Sequence, residues 1–205
     1  MRILHVGASG TLGRAVAETL QARGHTLIRA GRQGGDIAVD ITDEASVRAM
    51  YAQVGDFDAL VATLGRVHFA PLADFSRAQW QIGLDDKLMG QVRLVQMGLA
   101  QVREGGSFTL TSGLLNDEPI RQGASAAMVN AALEGFVRAA ALEMPRGARI
   151  NLVSPTLLAE SVPVYAPFFP GTAPMAAREV ALGYVRSIEG AHTGRVLRMG
   201  WSLAR

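Results

Sequence analysis

Cysteine is absent from the 205-residue sequence, which excludes disulfides, thiolate catalysis and cysteine-ligated zinc but leaves the compartment open. Lysine is almost absent: Lys87 is the single one, and the rest of the twenty basic residues are arginine. Those arginines are spread along the chain without a basic run, and the formal net charge is only +2 despite a sequence pI near 9.5. A nucleic-acid partner needs clustered charge to track phosphates, so none is expected. Long apolar runs are missing too. No stretch approaches the ~18 residues of a membrane span, and the opening "MRILHVGASG" is too brief an apolar run for a signal-peptide core. A soluble, cytoplasmic protein is expected, with no metal site. Charged residues make up 19% against 49% hydrophobic, the balance of a well-packed globular chain rather than a disordered one. Repeats, low-complexity tracts and linkers are also lacking, so residues 1–205 read as one domain, long enough to bury a large core.

What is present is an alternation. Short apolar runs at 2–8, 26–32, 36–41, 59–65, 106–113, 149–155 and 194–200 read as strands. Helical patterns fall at roughly 11–23, 43–54, 74–103, 122–144 and 174–189. Strands apolar on both faces and separated by helices form a parallel sheet covered on both sides. Right-handed crossovers then give a three-layer, doubly wound α/β sandwich of about seven strands, the Rossmann fold. Segment 156–173 breaks the pattern, because Pro163, Pro167 and Pro170 forbid a long helix there. Its Tyr165, Phe168 and Phe169 make it either a binding lid or an apolar flap folded onto the surface.

The first strand runs into "GASGTLG". Gly7 allows the tight turn, Gly10 leaves room for a diphosphate to approach the backbone, and Gly13 lets the following helix pack closely on the sheet. The free amides and positive end of that helix then face the anion. The placement, directly after the first strand and at the start of an amphipathic helix, makes this a dinucleotide signature. The second strand ends "RAGRQGG", with Arg32 and no carboxylate. A guanidinium suits the 2′-phosphate of NADP(H), whereas NAD sites usually carry an acidic residue there. Arg29 is a second candidate, unless strand alternation turns it away. Arg32 could equally be a solvated turn arginine.

With those residues in place, the sequence resembles the short-chain dehydrogenase/reductase family over nearly its whole length. "GASGTLG" resembles the family's cofactor turn, "VDITD" (39–43) the segment that approaches the adenine, and "PLADFSRAQWQIGLDDKLMGQ" (71–91) the entry to the fourth helix. "LTSG" (110–113) is similar to the strand ending in the catalytic serine, here Ser112, and "AALEGFVRAAALEMPRGARINLVSP" (131–155) to the fifth helix and sixth strand. The resemblance implies a cofactor NADP(H) held by Gly7, Ser9, Gly10, Thr11, Leu12 and Gly13. It adds Arg32, Asp40, Ile41, Ala62, Gly65, Asn130 and Pro155 to the cofactor-binding residues, with Asp40 near the adenine. It also implies a homodimer or homotetramer through the helices at 74–103 and 122–144. The family's tyrosine and the lysine four residues later align with Ala126 and Asn130. Asn130 can hydrogen-bond a ribose hydroxyl but cannot lower a neighbour's pKa, and Ala126 cannot move a proton.

Ser112 is thus either a group that polarises a substrate oxygen or a serine capping a turn before Gly113; as a nucleophile it has no obvious base. Lys87 aligns with the family's active-site asparagine. Because burial can bring a lysine, unlike an arginine, into proton chemistry, Lys87 is the candidate to replace the missing charge. The alternative is a pair with Asp85 or Asp86, or a snorkelling surface side chain. His68 and Tyr165 are weaker acid/base candidates. The helix at 122–144 carries two stripes, Val129–Leu133–Phe136–Val137–Ala140 and Met128–Ala132–Gly135–Ala139–Leu142, where covering a sheet needs one. The second fits a second copy or a neighbouring helix. Two functions follow from this reading: hydride transfer between NADP(H) and a small carbonyl or alcohol with a non-standard proton donor, or NADP(H) sensing or scaffolding without turnover.

Overall fold

A computed structural model supplies the fold, and residues 1–201 are described. Seven strands form a single parallel sheet: β1 (Arg2–Val6), β2 (Thr26–Gly31), β3 (Ile37–Ala38), β4 (Phe57–Ala62), β5 (Val102–Thr111), β6 (Arg149–Pro155) and β7 (Val196–Met199). Their order is β3-β2-β1-β4-β5-β6-β7, so the direction of winding reverses between β1 and β4. The crevice at the carboxyl ends of these two strands is where such sheets take ligands. Helices α1 (Thr11–Ala22) and α7 (Ala177–Glu189) cover one face. The other carries α2 (Glu44–Val54), α4 (Gln91–Gly98) and α5 (Ala124–Ala140); α3 (Arg77–Ile82) leads into the turn before α4, and a short α6 (Val162–Tyr165) lies in the loop after β6.

The pattern dictates this sandwich. Ile3, Leu4, Val6, Leu60, Val61, Phe108 and Leu110 are fully buried; Ile3 and Val61 belong to one core, and Leu4, Val6, Leu60, Phe108 and Leu110 to the other. Val16 and Leu20 of α1 meet Val180, Tyr184 and Ile188 of α7 on one side. Met50, Tyr51, Leu94, Leu133 and Val137 pack on the other. Completely burying an aliphatic or aromatic side chain of this kind stabilises by roughly 1.5–3 kcal/mol, so the two layers together hold the sheet.

Where boundaries move, local chemistry explains it. β3 stops at Ala38 rather than 41 because Asp40 Oδ1 accepts both the backbone N–H and the hydroxyl of Thr42, turning the chain. α5 starts at Ala124 rather than 122, after Gln122 with φ +64°. It ends at Ala140 because Met144, preceding Pro145, is extended. The pattern at 74–103 is not one α-helix: Gly83–Gly90 between α3 and α4 winds as a π-helix, and β5 takes over at Val102. Segment 156–173 forms short helical turns from Ala159 to Phe168, as three prolines require. The first stripe of α5 is the buried one; Met128, Ala132, Gly135, Ala139 and Leu142 all lie exposed, with no neighbouring described helix over them. No described helix is long and apolar enough to cross a membrane.

Candidate active site

The crevice begins at the glycine turn. A Cβ on Gly7 would stand 2.6 Å from the Thr63 carbonyl oxygen, and φ there is +92°. A Cβ on Gly13 would stand 2.1 Å from the Gly7 carbonyl oxygen, so the first turn of α1 lies directly against the loop. At Gly10 the nearest atom is 3.7 Å away, which leaves the approach open. Gly10 is also the N-cap, with no side chain over the helix end and no acidic residue in the first turn. Amides at Thr11 and Leu12 and the helix dipole therefore remain available to an anion. This backbone cradle fits a nucleotide diphosphate.

The buried His5 and the half-buried Thr63 brace the turn from behind. His5 Nε2 lies 2.8 Å from Thr63 Oγ1, which itself donates to the Gly7 carbonyl at 3.0 Å. The hydroxyl proton is thus committed to Gly7, so His5 donates to Thr63 through Nε2–H. Burial, reinforced by the Arg29 charge, pushes the His5 pKa down to about 3, so the ring is neutral.

Beyond the turn, Gly7, Ser9, Arg32, Ile41 and Gly65 line a cavity of about 170 Å3 together with Arg66 and Asp86. Arg32 is not a solvated turn arginine: its Nη2 donates to Asp86 Oδ2 at 2.7 Å, and its Nε stands 3.6 Å from Asp40. Arg29 turns away to Gln21. Hydrogen bonds from Thr42, before the neighbouring arginines, lower the Asp40 pKa. Ala62 is buried at the end of β4, outside that cavity, its carbonyl taken by Thr111 Oγ1.

The other end lies between β5, the π-helical turn and α5. Lys87 forms no ion pair among the described residues: Asp85 accepts from Gln81, and Asp86 is taken by the two arginines. Instead the half-buried Lys87 lies over Gly65, where a Cβ would come within 2.4 Å of its Cγ, and Nζ donates to the Ser112 carbonyl at 3.1 Å. Burial pushes its pKa down to about 8. Asn130 Nδ2 donates to the next carbonyl, Gly113, at 3.1 Å. The hydroxyl of Ser112 and Oδ1 of Asn130 are buried with no partner among the described residues, an expensive state unless a ligand or water completes it. Pro155 closes β6 beside Gly113.

Ala126, one turn before Asn130, is packed into an apolar cluster with Leu114 and Leu115, against which Val67, Ile120, Phe169 and Trp201 lie. Phe169 also lines an apolar cavity of about 230 Å3 with Phe69, Ile120, Gln122, Tyr165 and Phe168. Segment 156–173 is therefore a wall of that cavity. His68 packs edge-on against Phe75, itself stacked on Trp80. The sequence reading missed His5, Thr63, Arg66 and Asp86. The visible signals were a histidine within an apolar strand and an acidic residue inside an apolar helical pattern.

Comparison with known proteins agrees with this geometry. A family model described as enoyl-(acyl carrier protein) reductase matches residues 7–190. The 3-oxoacyl-[acyl-carrier-protein] reductase FabG of Escherichia coli is 29% identical over 174 residues, covering 74% of this chain and 71% of that protein. The crystal structure of protein lin1944 from Listeria innocua superposes with a TM-score of 0.95 at 46% identity, covering 97% of this chain and 98% of that one. A small-chain dehydrogenase solved in complex with NADPH gives a TM-score of 0.86 at 27% identity, covering 97% and 96%. With the glycine turn, the sheet order and a family model spanning most of its length, the chain belongs to the short-chain dehydrogenase/reductase family.

Proposed function

We propose that residues 1–205 form one NADP(H)-binding domain that transfers hydride between NADP(H) and a small carbonyl or alcohol, acting as a homodimer or homotetramer. The carrying observation is the paired arrangement of Lys87 and Asn130, donating to the successive carbonyls of Ser112 and Gly113 beside two unpartnered buried oxygens. When bound, NADP(H) supplies or accepts the hydride. Gly7–Gly13 hold its diphosphate, Arg32 its 2′-phosphate, and Asp40, Ile41 and Gly65 border the adenosine. The Ser112 hydroxyl donates to the substrate oxygen. Ala126 and Asn130 stand where the family resemblance expects a tyrosine and a lysine, so the proton must come from elsewhere. Lys87 serves that role: its ammonium, weakened by burial, protonates the substrate oxygen through a water. The structure of a small-chain dehydrogenase in complex with NADPH supports the cofactor assignment.

A second reading has its own observation. The apolar packing around Ala126 leaves no acid at that point of the crevice, which suits an NADP(H) sensor or scaffold without turnover. A panel of aldehydes and ketones with NADPH separates the two. The enzyme reading expects oxidation of NADPH with at least one carbonyl and a loss of about 10- to 100-fold in Ser112→Ala. Tight NADPH binding with no turnover across the panel favours the sensor, and a monomer in sedimentation discards the proposed assembly.

A further inference from the structure

Asp86 is a buried acid. Its side chain is only 6% exposed, and both oxygens are engaged. Oδ1 accepts the backbone N–H of Arg66 at 2.8 Å, while Oδ2 accepts Arg66 Nε at 3.0 Å and Arg32 Nη2 at 2.7 Å. The three residues come from separate parts of the chain: the end of β2, the loop after β4 and the π-helical turn. A buried carboxylate persists only with partners that offset its lost hydration, and here two guanidiniums do so at once. The backbone is shaped for the meeting. A Cβ on Gly90 would collide with Ile41 Cδ1 at 2.4 Å, so the glycine lets the π-helical turn close onto the adenosine cavity. Winding through that turn sends the adjacent side chains apart, Asp86 to the arginines and Lys87 to the Ser112 carbonyl.

Each arginine is gripped along one edge. Arg66 is bound through Nε and its side chain is 66% exposed; Arg32 is bound through Nη2 with Nε toward Asp40. Both Nη groups of Arg66 and Nη1 of Arg32 have no protein partner among the described residues. A carboxylate that fixes one edge of a planar fork aims the remaining donors, the arrangement by which arginines take a phosphate. We propose that Asp86 is a positioning residue for dinucleotide choice, holding Arg32 and Arg66 together as a two-arginine clamp on the 2′-phosphate. The inference rests on the NADP(H) reading above and adds Arg66 and Asp86 to it.

Asp86 has two opposing effects on a phosphate. Its charge repels the anion, but it also spares two long side chains from being ordered at the moment of binding, each a substantial entropic cost. The carboxylate charge is already shared by two cations in direct contact, so ordering dominates. The test is Kd for NADPH and for NADH, read by nucleotide fluorescence on the wild-type protein, Asp86→Asn and Arg66→Met. Asp86→Asn keeps the size and the acceptor for the Arg66 N–H but removes the charge. It is expected to weaken NADPH about tenfold and NADH less than about twofold, and Arg66→Met, which leaves Asp86 its Arg32 partner and whose folding is checked by its denaturation midpoint, should do the same. An equal loss for both nucleotides would mean a merely structural acid, and a raised NADPH preference would mean that repulsion wins; either overturns the clamp. So does a wild-type protein that binds both nucleotides without preference. A wild-type protein binding neither overturns the NADP(H) reading itself, and the clamp with it.

Discussion

At the turn after β1 the surface offered to a ligand is backbone: glycines at 7, 10 and 13 and the uncapped start of α1. At the proposed reacting end the surface is side chain, with Lys87 from a π-helical turn, Ser112 after β5 and Asn130 from the middle of α5. The two ends answer to sequence change differently. A backbone cradle depends on the absence of atoms, so a single methyl group closes it. A side-chain site depends on which groups arrive, and a group lost from one element can be supplied from another. The proposed role of Lys87, reaching from the π-helical turn to a site that α5 lines with Ala126 and Asn130, would be such a change of supplier.

The largest expected effect tests the cradle. In Gly13→Ala the new methyl group would meet the Gly7 carbonyl at 2.1 Å and Thr63 Oγ1 at 2.9 Å. Overpacking of this kind costs about 1–3 kcal/mol, and here the clash is with the ligand-facing loop. Nucleotide titration should show at least ~100-fold weaker binding together with a lower denaturation midpoint. Gly10→Ala, with 3.7 Å of room, should leave the fold alone and weaken only the nucleotide. Equal behaviour of the two variants would break the distinction between packing and approach.

The next test concerns the reacting end. Lys87→Met should lower kcat/KM about 10²- to 10³-fold, the span of a lost proton donor. Lys87→Arg keeps the charge but gives up no proton near neutrality, so it should not restore the rate. With the Lys87 pKa pushed down to about 8 by burial, the ammonium is present below that pH and lost above it. Carbonyl reduction should therefore decline as pH rises through about 8, and the limb should vanish in both variants. A limb that survives in Lys87→Arg assigns the titration to another group.

The smallest effect at neutral pH lies behind the cradle. Burial, reinforced by the Arg29 charge, holds the His5 pKa at about 3 against an ordinary 6.5. Between those values the unfolded chain binds a proton that the native ring refuses. The neutral His5 thus contributes stability that is intact above pH 6.5 and drains away as pH falls toward 3, by at most about 1.4 kcal/mol per pH unit. Denaturant midpoints measured against pH should slope less steeply over this window in His5→Gln, which can still donate to Thr63. An unchanged slope would place acid sensitivity elsewhere.

Legibility followed the same division. The glycine turn could be read because each glycine answers a local steric demand that no other residue meets. Ser112 was singled out by the resemblance of "LTSG" to a family strand, and Lys87 by its rarity. Asp86 and Arg66 could not be found that way: Arg66 follows a strand as any surface arginine might, and Asp86 shares its "DDK" run with an exposed neighbour that bonds Gln81. Their meaning lies in a contact across 20 positions of sequence, and between Arg32 and Asp86 across 54. The spacing of Glu134 and Arg138 suits an i,i+4 bridge, but only the structure shows that Glu134 is buried and also meets Asn116 and Arg198.

By itself the sequence determined the order of strands and helices, the doubly wound sheet and the anion-binding turn, because hydrophobic period and glycine sterics act over a few residues at a time. Tertiary structure alone decided that Lys87 points at the Ser112 carbonyl rather than at its acidic neighbours, that Asp86 gathers two arginines, and that Ala126 is sealed by Phe169 and Trp201. Those outcomes depend on which distant segments compete for one charge or one apolar surface, and that competition exists only once the chain has closed.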